Sequence, residues 1–572
     1  MTGLPGMVNK DGIRKWHDVS FRGYNHQLGA LDGELWDMEN LTSDYAPLLA
    51  PRRPRYKIAA LAKPNGFYAR CVSSPPVGEE DTAGKNALAG LYWADGTDFY
   101  AGGVRKGDVA DGRKRFASLG DYIIILPDKA YYNTRDGVFG DLEASVTARC
   151  SIRDGSYAEE DAEANTIWSE GMDWAAFFKV GDAVTVSGTD YAESPVIIRE
   201  IEGNELRFYE NTFSEKKSGE MTVARTVPDM DFICENENRL WGCKGGTIYA
   251  SKLGDPFNWN VFDGLSTDSY AVDVGSGGDF TGCCSFLGYP CFFKEDHIYK
   301  VYGEKVSAFQ VMGSADLGVE RGSGGSLGIA GEILFYLSRA GVAAYSGGIP
   351  QSIAAPFGIE RYRDAVGGSD GIKYYVSMRR CSPSLAGDGG GREDSGTWSL
   401  FVFDTRTSLW HREDGREIVG FGWNGELYFL DADGTLWLNG NTRTVPEGAE
   451  SEGVVESMAE FGDFTDYAGA YPERGANRKG TGKLQVRLEL EAGASVTLSM
   501  LFDSGGGYET PPSGKTDGWM TVATLTNSAR IKRSYYLPII PRRSDHYRIR
   551  ITGSGDWKLY SLAREEYSGS EL

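Results

Sequence analysis

Five histidines, eight cysteines and a few acidic turns are the residues of this 572-residue sequence whose types are suited to chemistry. His17, His26, His297, His411 and His546 include no H-E-x-x-H pair and no two at metal-ligand spacing. The densest set of soft ligands is Cys283, Cys284, Cys291 and His297, whose spacing matches no zinc module. They fall on expected strands, where alternate residues point to opposite faces, so buried thiols in a core are the better reading. The acidic turn Asp431-Ala432-Asp433-Gly434-Thr435-Leu436-Trp437 reads as a hairpin whose Asp-Gly step takes positive φ. A Ca²⁺ site through Asp431 and Asp433 lacks the further oxygen ligands such a loop needs. There is no G-x-S-x-G, no Walker A loop and no strand-G-x-G-x-x-G-helix unit. The glycine runs Gly275 to Gly278 and Gly387 to Asp394 have neither the Lys nor the helix that would cradle phosphate. The expectation is a non-enzyme, with no catalytic residue, no metal and no cofactor.

Two basic tracts are the candidates for recognition instead. APRRPRYK (Ala50 to Lys57) contributes Arg52, Arg53 and Arg55, and PRRSDHYRIR (Pro541 to Arg550) contributes Arg542, Arg543, Arg548 and Arg550. In the second, Arg548 and Arg550 alternate with Tyr547, Ile549 and Ile551, as on one polar strand face. Such a face is either solvated or meets the acidic surface of a neighbouring copy through arginine forks. Upstream, Gly23 to Arg55 carries Leu31, Leu35, Trp36, Met38, Leu41, Leu48 and Leu49 among Pro47, Pro51 and Pro54. That spacing is too irregular for a core of its own, so the arm is expected to lie across a surface of the same chain or of its neighbour. Trp36, Met38, Leu41 and the arginines named above are the candidate interaction residues.

The elements that must position these residues are strands. Gly numbers 76, nearly twice the usual share of about 7%, and aromatics make up 12%. Glycine supplies positive φ at turns while aromatic rings pack on pleated surfaces. Helical periodicity longer than about two turns is not found. Seven hairpins are legible: Leu91 to Gly103, Asp121 to Thr134, Arg239 to Asp255, Tyr289 to Gly303, Glu332 to Gly348, Trp398 to Asp414 and Gly425 to Gly440. In the fifth, Ile333, Phe335 and Leu337 alternate before the turn at Ser338 to Gly341. Hairpins recurring at this spacing are expected to be blades of a β-propeller.

A core stops growing at roughly 250–300 residues, so several domains are expected. Residues 1–140 read as an N-terminal arm and first blades, 141–227 as an inserted small β-barrel-like domain, 228–455 as the remaining blades, and 456–572 as a C-terminal β-sandwich. Glu460 to Gly482, polar and Gly-rich, reads as a surface excursion. The formal net charge of −22 and a pI near 4.8 repel phosphate backbones and anionic lipid. No secretory signal core and no run of about 18 apolar residues is visible, so neither export nor a membrane span is expected. Scattered cysteines suit reduced thiols in cytoplasm.

Three segments resemble proteins from the tail modules of phages and prophages of Gram-positive bacteria. Gly23 to Arg55, centred on Gly33-Glu34-Leu35 and Asp37-Met38-Glu39-Asn40-Leu41, looks like their opening. Asn238 to Phe262, with Gly254-Asp255-Pro256-Phe257-Asn258-Trp259, is similar to a segment of podovirus-type tail hub, nozzle or stabilisation proteins, and Tyr535 to Leu572 resembles their C-terminal domain. The resemblance implies a ring-forming propeller, six copies around a DNA exit channel, located in the virion tail and, during assembly, in host cytoplasm. The implied partners are other copies of the chain, a portal or adaptor protein and tail fibres, with viral DNA passing through unbound. A carbohydrate-binding or carbohydrate-degrading propeller on the virion is the alternative.

Overall fold

A computed structural model describes residues 13–568 apart from 28–32, 43, 46–47, 72–87, 154–164, 189–194, 210–212, 214–216, 382–393, 444, 465–478, 503–517, 528–531, 541–542 and 545. Among the described residues there is no α-helix, only single 3₁₀ turns such as Trp174–Ala176. The chain is all-β: a β-propeller with an inserted small barrel and a C-terminal sandwich. It divides into two compact units, one of Leu61–Leu327 with Gly347–Pro350, the other of Met1–Ala60, Gly328–Ser346 and Gln351–Leu572. This division is coarser than the four regions read from sequence.

The first unit holds four antiparallel blades, each with four strands in sequence order. They span residues 64–108, 115–141, 232–273 and 282–314 and are called blades I to IV below. In each, the hairpin legible in the sequence forms the second and third strands, for example Tyr122–Leu126 with Ala130–Asn133 in blade II. Ile123, Ile124 and Ile125 are all fully buried, because both faces of the sheet are covered. The outermost strands carry little such signal: Val104–Asp108 and Gln310–Ser314 are largely exposed. Close packing also fixes glycines. A Cβ on Gly318 would fall 1.8 Å from the Lys294 carbonyl oxygen, so no side chain fits there.

Between blades II and III, six strands from Ala144–Arg153 to Lys217–Arg225 close into a barrel. Its first and last strands pair from Ala144 opposite Arg225 to Ile152 opposite Lys217, so the insert leaves and re-enters the blades side by side. Trp174, Val184, Ile198, Leu206, Phe208 and Val223, none measurably exposed, fill its core. Each large apolar side chain removed from water contributes roughly 1.5–3 kcal/mol to holding the barrel closed.

The second unit holds blades V (residues 328–352), VI (361–412) and VII. Blade VII takes Ile418–Trp423, Leu427–Asp431 and Thr435–Leu438 from the late chain and Tyr56–Ala60 from the arm, with Leu438 opposite Tyr56 and Thr435 opposite Ala60. The sandwich has two five-stranded sheets, and each borrows an N-terminal strand: Ile13–Asp18 pairs Trp557–Ser568, and Leu35–Glu39 pairs Glu456–Phe461. The arm is therefore part of the sandwich and of a blade. Two sequence expectations are corrected here. Ile333, Phe335 and Leu337 do not alternate with exposed neighbours, since Leu334 and Tyr336 are as buried as Phe335 and Leu337 and more so than Ile333. The excursion at 460–482 has strands at both ends, Glu456–Phe461 and Lys479–Leu490, and its middle lies outside the described residues.

Candidate functional site

The arm residues lie in a seam between the sandwich and blades VI and VII. Met38 and Leu41 are at most 1% exposed and join one continuous core with Leu484, Val496 and Trp557 of the sandwich and Phe401 and Trp410 of blade VI. Trp36 is buried too, its ring 3.9 Å from that of His26 and covered by the Arg548 guanidinium at 4.7 Å. Leu31 and Pro47 lie outside the described residues. Of the two surfaces open to the arm in the sequence reading, it covers its own chain's.

The arginines are consumed in the same seam. Arg52 makes a bidentate pair with Glu452 at 2.8 and 2.9 Å and donates to Asn40. Arg55, 1% exposed, reaches Glu413 and Asp414 at 2.5 Å each and lies over Phe429. Arg416 links Asp414, Asp431 and Glu452 into the same lattice. Burial alone would lower the Arg55 pKa, but Asp414, Glu413 and Glu452 outweigh it and raise it. The Asp414 carboxyl is opposed by its own burial yet held low by Arg55 and Arg52. Arg548, 3% exposed, pairs with Asp463 at 2.7 Å and Glu460 at 3.0 Å, and Arg550 pairs with Glu460 while lying over Trp519. Neither a solvated face nor a face left for a neighbour describes Arg548. Arg53 is exposed, Arg543 sits on a short strand whose side chain is outside the described set, and Arg542 is outside it altogether.

A second seam joins the barrel to blades II and III, built from Gly254 to Asn260. Asp255 accepts from the Phe257 amide at 2.9 Å and from Asn258 Nδ2 at 2.7 Å, folding the segment into a turn. Asn258 then donates to Asp182 of the barrel at 3.0 Å and accepts from the Ala183 amide at 2.9 Å. Phe257 packs edge-on to Tyr122 and Tyr131 and beneath the Arg225 guanidinium, which itself pairs with Asp182. Lys129 ties both stems of the insert, through Glu143 at 2.8 Å and the Val227 carbonyl at 2.7 Å. Sequence reading quoted this motif without seeing its task, because the partners lie about 75 positions away.

Two clefts have the mixed lining that small polar ligands use. In the second unit, about 330 Å³ is enclosed beside Asp44, Lys373, Arg406, Glu426 and Trp423, the last 43% exposed. Asp44 is ion-paired with Lys373 at 2.6 Å and with Arg406, and these outweigh the opposing effect of burial to lower its pKa. A carboxyl held ionised in this way is unsuited to donate a proton. In the first unit, about 520 Å³ lies between the hairpin turns of blades III and IV, beside Glu237, Arg239, Trp241, Tyr289, Tyr302 and Glu304. The Tyr289 and Tyr302 rings lie 4.7 Å apart, and the buried Trp241 indole N–H has no acceptor among the described residues. Leu287 at the rim holds φ of 54°, a costly conformation for a bulky residue. Asp431, raised above as a cation ligand, accepts from the Thr435 amide and the Trp437 indole and pairs with Arg416.

Blades, barrel and sandwich place the chain among propeller-based all-β proteins. No protein-family model matches it, and no curated protein sequence does. Among solved structures, similarity extends to PorZ, described as an essential surface component of the type-IX secretion system of Porphyromonas gingivalis, at 13% identity over 78% of this chain with a TM-score of 0.25. The match spans 64% of PorZ's own length. A family 43 arabinoxylan arabinofuranohydrolase of Bacillus subtilis is similar at 10% identity over 78% of this chain and 94% of its own, TM-score 0.16. A Trypanosoma rangeli sialidase is similar at 10% identity over 90% and 97%, TM-score 0.18.

Proposed function

We propose that this chain is a non-catalytic structural component of a phage tail hub or nozzle, a homo-oligomer, six copies in the family pattern, around a DNA exit channel. One observation carries the reading beyond the resemblance of the segments themselves: all three of those segments act as ties between parts of the fold. Residues 23–55 supply a strand to the sandwich and lead into the strand that completes blade VII, Gly254 to Asn260 clasps the barrel, and Trp557–Ser568 pairs both Ile13–Asp18 and Lys479–Leu490. A protein selected to bear load needs such internal ties, reinforced by buried charge pairs that hold one geometry. Exposed residues remain for an adaptor and fibres. The charge of −22 suits a wall along which DNA slides without adhering. Imaging of purified particles is expected to place the chain in a ring on the tail axis. Its absence from virions, or a lone copy remote from that axis, would overturn the reading.

A second reading, a carbohydrate-binding propeller on the same particle, is favoured by the cleft beside Tyr289 and Tyr302. Aromatic faces stack on sugar rings, while Glu237 and Glu304 offer acceptors for hydroxyls. A host-glycan screen with wild type and Tyr289→Ala separates the readings. Binding lost in the variant supports the second, and turnover of a glycan would contradict the non-catalytic assignment in both.

A further inference from the structure

Three of the eight cysteines meet between two blades. Cys234 lies on the first strand of blade III and Cys243 on the second, on one sheet face, since Phe232 is opposite Cys243 and Cys234 opposite Trp241. That face packs against blade IV, whose first strand brings Cys283 into the same core cluster. The three side chains pack into that one cluster, and none of them is in a disulfide. Arg115 of blade II completes the group, its guanidinium 4.2 Å from the ring of Phe232 and close enough to act on the Cys283 sulfur. Cys234 and Cys283 retain some solvent exposure, whereas Cys243 retains none.

We propose that this trio is an oxidation site, at which Cys283 reacts with a low-molecular-weight disulfide and Cys234 resolves the adduct into a covalent link between blades III and IV. In the first step the Cys283 thiolate attacks one sulfur of RSSR, forming the mixed disulfide Cys283–S–S–R and expelling RS⁻. In the second, Cys234 loses its proton to solvent and attacks the Cys283 sulfur, expelling the second RS⁻. Two protein thiols are oxidised by two electrons, and RSSR is reduced to two RSH.

The nucleophile is distinguished by its surroundings. Burial would raise the Cys283 thiol, but hydrogen bonds from Cys234 and Cys243, with the Arg115 charge, bring it down to about 5. Adjacent Cys284 points to the opposite sheet face, opposite Cys291 across the strand pair. Burial raises the pKa of Cys284 well above the usual thiol range, and that of Cys291 to about 12. Neighbours in sequence thus differ in reactivity, because thiolate character, some exposure and a nearby resolving thiol define a redox-sensitive cysteine. The Cys234 thiol is itself raised, by Cys283 first and then by burial, and the first of these ends once Cys283 is in the mixed disulfide. The site stands apart from the hub reading. Such a link would be absent under reducing conditions and form under oxidising ones.

The test uses the full-length chain carrying Cys71→Ser, which removes an exposed thiol. After incubation with glutathione disulfide at neutral pH, the free thiols counted under denaturing conditions are expected to fall by two. Peptide mass spectrometry is expected to find Cys234 joined to Cys283. Adding Cys283→Ser should abolish the loss, while adding Cys234→Ser should leave Cys283 carrying one glutathione, so the nucleophile and resolving roles are read separately. Circular dichroism of each variant establishes that it is folded. A full complement of alkylatable thiols after oxidation, or linkage of Cys284 to Cys291 instead, would overturn the proposal.

Discussion

Arg55 is a residue at which removal of a single charge is costly. It is buried between Glu413 and Asp414, and replacing it with Ala leaves two buried carboxylates short of a cation. Breaking a buried pair from one side typically costs about 3–5 kcal/mol. Arg55→Ala is therefore expected to lower the stability of the unit by that amount in urea denaturation followed by tryptophan fluorescence. Adding Glu413→Gln and Asp414→Asn should recover part of the loss. His411 gives a pH signature. Burial first, then Lys373, lower its pKa from 6.5 to about 4, against the pull of Asp404 and Asp44. Between those values the unfolded chain takes up a proton that the folded chain refuses, so stability falls as pH drops from about 6.5 to 4, by at most roughly 3 kcal/mol at 1.36 kcal/mol per unit. Asp404 acts in a lower window. Arg406 outweighs its burial and holds it at about 2, so its contribution is present above 3.8 and disappears as pH approaches 2. His411→Gln should flatten the upper window and leave the lower one unchanged; an unaltered upper slope would contradict the assignment.

At the scale of elements, the N-terminal arm decides the integrity of its unit. Deleting residues 1–20 removes the strand Ile13–Asp18, whose described side chains from Lys15 on are half-buried or exposed, and uncovers one edge of Trp557–Ser568. A soluble protein with a modestly lowered melting temperature is expected. Deleting residues 1–60 also removes Leu35, Met38, Leu41 and Leu49, each at most 2% exposed, with Arg55 and the fourth strand of blade VII. Large apolar core residues cost about 2–5 kcal/mol each when truncated, so this deletion exceeds the stability of an ordinary domain. Aggregated protein on expression is the expected outcome, and a soluble, cooperatively melting product would refute the account. The middle hairpins of the blades were legible because consecutive apolar residues, such as Tyr122 to Leu126, are buried on both faces. Most outer strands were not, since a solvent-facing edge carries little pattern that separates it from a loop. In blade VI the outer strand Leu409–Arg412 was read within a hairpin while the buried second strand Lys373–Cys381 was not.

For the molecule as a whole, the barrel is the separable part. Its ends are paired at Ala144 and Arg225, so replacing residues 144–225 by a short Gly-Ser linker imposes little strain on blades II and III. The deletion is expected to leave the strand signature of the remainder in far-UV circular dichroism and to expose Phe257 and Asn258 to solvent. The fragment 142–227 is expected to fold alone on its own core. Failure of both products would show that the clasp at Asp182 and Asn258 is a condition of folding.

Composition and local pattern by themselves determined that the chain is built of strands, where seven hairpins lie, six of them the central pair of a blade and one, Trp398 to Asp414, the outer pair of blade VI, and that an insert and a terminal sandwich accompany the run of blades. These follow from neighbouring residues, because turn chemistry and burial on a sheet are local in sequence. The destination of the arm followed only from tertiary structure, since Tyr56 pairs with Leu438, and Leu35 with Phe461, across about 400 residues of chain. The same holds for the basic tracts: Arg548 and Arg550 look like a polar face until Glu460 is brought beside them. It holds also for the thiols, where Cys283 meets Cys234 and Cys243 from another sheet rather than its sequence neighbour Cys284. Charge and thiol chemistry depend on which groups lie within a few ångströms, and long-range strand pairing and the packing of one sheet on another decide that.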